Sequence, residues 1–129
     1  MNPLTLEWVA KAEGDFVTAG RELRARKSPN YDATCFHAQQ MAEKYLKAMV
    51  QEAGQDVPYT HNLIDLLALC LEIDPTLNLV RPDLVVLDRY AVRFRYPGQF
   101  ADKQEARGAY HSARVAREFI RSRLNLPVE

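Results

Sequence analysis

His37, Gln40, Lys44, Lys47 and Gln51 follow one another at spacings of three and four, so on a helix they line one face beside Gln39 and Glu43. Two lysines on such a stripe offer charge to an anion, and His37, Gln39 and Gln40 offer hydrogen bonds that a plain solvated surface seldom needs. The stripe reads equally well as a solvated face or as a wall for a ligand. A second run, Arg89-Tyr90-Ala91-Val92-Arg93-Phe94-Arg95-Tyr96-Pro97-Gly98, interleaves arginines with aromatic rings. Guanidinium forks grip phosphate and rings give faces for bases, although Tyr90 and Phe94, four apart, serve as well in a core. His61 follows Thr60, a helix-capping residue type, and the free amides of a helix start favour an anion. The candidate ligand-binding residues are therefore Lys44, Lys47, His61, Arg95 and Tyr96, joined by His37 and Gln40. In the competing reading Arg95 pairs with Glu43 or Asp88 for structure.

Other chemistry has little support. Cys35 and His37 stand two apart, so on a helix they point away from each other, and His61 and His111 are isolated in sequence. Neither a metal nor a cofactor is expected. The chain contains no Gly-rich phosphate loop, nucleophile elbow or paired metal-ligand motif.

Five helical segments must position these residues. Asn2 as cap and Pro3 at the first turn predict a helix to about Arg26, with Leu4, Trp8, Ala12, Phe16, Ala19 and Leu23 along its inner stripe. Ser28-Pro29 predicts the start of a second, closed near Ala53 by Gly54, with Cys35, Ala38, Ala42, Tyr45, Met49 and Ala53 inward. Thr60 caps a third, from about His61 to Ile73, apolar nearly all round and hence central. Arg81-Pro82 opens a fourth, reaching Arg95 or Tyr96 with Leu84, Leu87, Ala91 and Phe94 inward. Asp102-Lys103-Gln104-Glu105 forms a capping box for a fifth, facing the core through Ala106, Ala109, Tyr110, Ala113, Ala116, Ile120 and Leu124. Short connections predict an all-α, antiparallel up-and-down bundle.

A length of 129 residues suits a single domain over 1–129, with 47% hydrophobic and 26% charged residues. No apolar run reaches the roughly 20 residues that span a bilayer, and no signal peptide is evident at the start, so a cytoplasmic address without a membrane is expected. Two cysteines, Cys35 and Cys70, read as buried thiols in a reducing compartment. Net charge is zero but polarised: residues 1–80 carry 7 Lys/Arg against 11 Asp/Glu, and residues 81–129 carry 10 against 6. Such a split can steer a phosphate-bearing ligand to the C-terminal half, or simply reflect solvated arginines.

The run from Tyr31 to Ala48, then Thr60-His61-Asn62-Leu63, then Arg95-Tyr96-Pro97, resembles the prokaryotic HEPN domain, as does the Trp8, Ala12 and Asp15 pattern. The resemblance covers nearly the whole chain. It implies a helical bundle that forms a homodimer, a small nucleotidyltransferase-like partner in a toxin–antitoxin-like pair, and a nucleotide or RNA phosphate as ligand. Many members are metal-independent ribonucleases acting through an Arg followed, after four to six residues, by a His. This sequence departs from that pattern, because Arg107 and His111 have only three residues between them. A non-catalytic nucleotide- or partner-binding module is the expectation, with a toxin-like ribonuclease as the alternative.

Overall fold

The computed structural model describes residues 1–94 and 96–129; Arg95 lies outside the described residues. Among the described residues five α-helices make the fold: α1 (Pro3–Arg24), α2 (Tyr31–Glu52), α3 (Leu63–Ile73), α4 (Arg81–Asp88) and α5 (Lys103–Arg123). Two 3₁₀ turns, Pro75–Val80 and Arg89–Ala91, flank α4, and there is no strand among the described residues.

Asparagine and aspartate set the helix starts. Asn2 caps α1 as expected, its side chain accepting from the Leu4 amide at 2.8 Å. The second start is shifted: Asn30, not Ser28, is the cap, accepting from Ala33 at 2.9 Å, while Ser28 sits at φ 46 in the left-handed region. Thr60 likewise yields to Asn62, which accepts from both Ile64 and Asp65. Asp102 caps α5 through the Glu105 amide at 2.7 Å, but Glu105 turns its carboxylate to Tyr90 and Arg93 instead of closing the box. Gly54 ends α2 at φ 75, the conformation that a residue without Cβ adopts freely.

The fourth helix is shorter than expected. It stops at Asp88, continues for one 3₁₀ turn, and leaves helical geometry at Val92 with φ −134. Tyr90 and Phe94 nevertheless stack at 5.7 Å, so the aromatic pair is packed without a continuous helix beneath it.

The core is one cluster drawn from all five helices, with Leu46, Leu67, Leu87 and Ile120 fully buried and Trp8 packed partly buried against it. Along α1 the buried stripe is Thr5, Val9, Ala12 and Ala19; Leu4 is exposed and Ala53 at the end of α2 is outside, both contrary to expectation. Helices α1 and α2 are antiparallel, since Trp8 meets Gln51 and Asp15 meets His37. By the same kind of pairing α1 and α5 are antiparallel, Glu13 meeting Arg117 and Phe16 meeting Tyr110. Residues 53–62 carry the chain back along α2, so α3 starts beside Glu43, has Cys70 on the Leu46 carbonyl, and runs in the same sense as α2. Helix α4 then returns antiparallel, with Asp88 on the first amide of α3.

Candidate functional site

The polar stripe of α2 faces α1 and the start of α3 rather than open solvent. Its upper end is organised by Asp15 of α1. The His37 Nδ1 lies 2.7 Å from one Asp15 oxygen, and Lys44 pairs with the other. Gln40, one turn from each, donates to Gln39 at 2.8 Å. The lower end is organised by Glu43, whose side chain is only 5% exposed. Lys47 pairs with it at 3.1 Å, the His61 Nδ1 lies 3.1 Å away, and Gln39 donates to the His61 carbonyl at 3.2 Å. The Lys47 ammonium also lies 5.6 Å from the centre of the Trp8 ring, whose N–H donates to Gln51 at 3.3 Å.

This arrangement satisfies a physical requirement. A lysine buried to the extent of Lys47 needs a counter-charge and hydrogen bonds, because a lone buried ion is destabilising by several kcal/mol. Glu43 and the Trp8 ring supply both. His61 differs, since 73% of its side chain is exposed, and it is the point where the cluster meets solvent.

His61 precedes α3 by two residues instead of opening it. The first amides of that helix are already taken, Leu63 by Asp88 at 2.8 Å and Ile64 and Asp65 by Asn62. A helix-terminus anion site at His61, expected from sequence, is thus filled by the protein's own carboxylate and amide. Asp88, a proposed partner of Arg95, is engaged in the same capping. Tyr96 is 69% exposed, and Arg95 lies outside the described residues. The structure therefore brings together His37, Gln40, Lys44, Lys47 and His61, and leaves Tyr96 at the surface.

A second polar network joins α1 and α2 to α5. Arg117 of α5 holds Glu13 of α1 with two hydrogen bonds of 2.7 Å, Tyr45 donates to Glu13 at 2.6 Å, and Arg121 donates to the Tyr45 oxygen at 3.0 Å. Burial works to raise the Glu13 pKa, but hydrogen bonds from Arg117 and Tyr45, with the arginine charges, outweigh it and hold the carboxyl below its ordinary value. For Tyr45, burial and the bond to Glu13 push the phenol well above its usual range. Nothing in the sequence marked Glu13, Tyr45 or Arg117 as partners, since they come from three helices.

The aromatic end of the molecule also holds a cavity of about 420 Å3 between the start of α2 and the segment after α4, lined by Ala33, Phe36, Tyr90 and Phe94 with Asn30 and Asp32. The described residues contain no group of three or more His, Cys, Asp or Glu side chains placed to hold a metal ion. None of the helices is long and apolar enough to cross a membrane among the described residues.

No curated protein matches the sequence significantly. Among solved structures, the fold is similar to the crystal structure of TT1696 from Thermus thermophilus, at 25% identity and a TM-score of 0.75, over 92% of this chain and 96% of that one. The model of the HEPN domain matches residues 5–123, in keeping with the helix order and the α1–α2 packing, and the chain belongs to the HEPN domain family.

Proposed function

We propose that the protein is a non-catalytic HEPN-type module that binds a nucleotide or a protein partner, accessory to a small nucleotidyltransferase in a toxin–antitoxin-like pair. The observation that carries this reading is the placement of the histidines. None follows an arginine after four to six residues; His37 is held on Asp15, His61 on Glu43, and His111 stands on the exposed side of α5. General acid–base cleavage of RNA needs a proton-transfer group within hydrogen-bond reach of the reacting oxygens, and no arginine–histidine pair of the family's spacing supplies it.

The ligand meets the cluster at its open edge, His61, with Lys44, Lys47, His37 and Gln40 behind. A phosphate at Lys44 or Lys47 exchanges with the Asp15 and Glu43 carboxylates that hold those lysines. The chain acts as a homodimer in a cytoplasmic setting, and exposed Val92, Tyr96 and Phe100 give a second copy an apolar surface to cover.

Incubation with single-stranded and structured RNA should leave both intact. Cleavage that vanishes in a His111→Ala variant would reverse the reading in favour of a ribonuclease using Arg107 and His111, which lie four apart on α5. Sedimentation at micromolar concentration should show a dimer; a monomer there removes the homodimer from the proposal.

A further inference from the structure

The basic excess of the C-terminal half has no part in the α2 cluster, and the fold gathers some of it elsewhere. Because α1 and α5 are antiparallel, the end of α1 lies beside the start of α5. Arg24, Arg26, Lys103, Arg107 and Tyr31 line a cavity of about 560 Å3 there. None of these four cations makes an ion pair among the described residues.

Three further observations set this cavity apart from a scatter of surface charge. Gly20 is buried, and a Cβ there would stand 2.8 Å from the Arg24 Nη1 and 3.2 Å from the Tyr110 hydroxyl. The missing side chain is what lets the Arg24 guanidinium lie against α1 toward α5. Lys103 is the first residue of α5, where the helix dipole opposes a cation, so helix formation does not account for it. The carboxylates nearest in sequence are engaged elsewhere: Glu22 accepts from the Asn30 amide, Asp32 from that of Ala101 and Asp102 from that of Glu105, while the Glu105 carboxylate holds Tyr90 and Arg93.

We propose that this cavity binds a polyphosphate group, two or three linked phosphates carried by a nucleotide or free in solution. Three arginine forks and a lysine offer more charge-assisted donors than a single phosphate can use, and the volume admits several phosphates. The cations converge on one cavity instead of running along a groove, which suits a compact anion better than a nucleic-acid strand. Tyr31 adds a hydroxyl and a ring at the rim. The proposal uses no residue of the α2 cluster and stands whether or not that cluster binds a ligand.

Titration calorimetry on the full chain, with sodium tripolyphosphate, ATP, orthophosphate and a single-stranded oligouridylate, tests it. Tripolyphosphate and ATP should bind, and orthophosphate should bind more weakly. Equal affinity for the first two marks the phosphate chain as the whole determinant; tighter binding of ATP marks a nucleotide as the source. An Arg24→Gln, Arg107→Gln double variant should weaken both by about tenfold or more, the cost of losing charge-assisted hydrogen bonds, with an unchanged melting temperature. Arg81→Gln, an exposed residue at the start of α4, should leave both affinities unchanged. The proposal fails if neither polyphosphate binds at millimolar concentration, if only the oligouridylate binds, if the double variant binds as well as the parent, or if Arg81→Gln weakens binding equally.

Discussion

The α2 cluster and the cavity at the start of α5 treat their cations in opposite ways. Lys44 and Lys47 each hold a carboxylate, whereas Arg24, Arg26, Lys103 and Arg107 hold none among the described residues. The difference follows from burial. Lys47 lies inside the packing of α1 and α2, where a charge without the Glu43 counter-charge is destabilising, while the four cations at the cavity are exposed to solvent. Pairing is thus a requirement of the interior, and its absence at the surface leaves charge available to something outside.

The largest contrast should appear on removing the buried carboxylate. Glu43→Ala leaves Lys47 as an unpaired buried ion and is expected to destabilise by about 3–5 kcal/mol, readable by urea unfolding. A cost under about 1 kcal/mol would mean that Lys47 turns outward and that the two regions differ less than the structure indicates. Leu67→Ala, an apolar reference in the same core, should cost about 2–5 kcal/mol. Arg117→Ala removes two hydrogen bonds to Glu13, with an expected loss of about 1.5–3 kcal/mol.

Acid should expose the same asymmetry. Glu13 has its folded pKa depressed below the unfolded value of 4.5, so its stabilisation is present above that pH and is lost as pH falls through the folded value. Stability should therefore fall below pH 4.5 by less in Glu13→Gln than in the parent, measured by thermal melting across pH 2–5 as an order-of-magnitude window. At the cavity the effect should be smallest. Arg24→Gln and Lys103→Gln should each change stability by no more than about 0.5 kcal/mol. A larger loss would show that these cations, too, are structural.

Much of the fold was legible because several local signals agreed. For α5 the Asp102 cap, the alanine stripe and Ile120 agree on one helix, which starts at Lys103 directly after the expected cap. Elsewhere competing signals of equal local strength misled. Ser28 and Asn30, or Thr60 and Asn62, offer capping oxygens two residues apart, and only the path of the loop decides between them. The four-residue spacing of Tyr90 and Phe94 imitates a helix that Val92 has already left. The candidate site was half legible. Periodicity put His37, Gln40, Lys44 and Lys47 on one face, but the partners that define that face, Asp15 and Trp8, lie on another helix. Nor could the charge imbalance of the two halves indicate that residues 24–26 would meet residues 103–107.

The two thiols offer a way to time the molecule's opening. Cys35 and Cys70 are fully buried, and burial pushes both up to about 12. Alkylating reagents attack the thiolate, so the closed protein presents them with neither access nor a reactive species. Labelling must wait until the chain opens. Cys35 lies near the start of α2 and Cys70 near the end of α3, donating to the Leu46 carbonyl at 3.4 Å. Under conditions where reclosing outruns alkylation, the labelling rate at each position reports the local opening equilibrium. Two built-in clocks, one at each end of the core, then reveal whether the bundle comes apart as a unit or frays from one side.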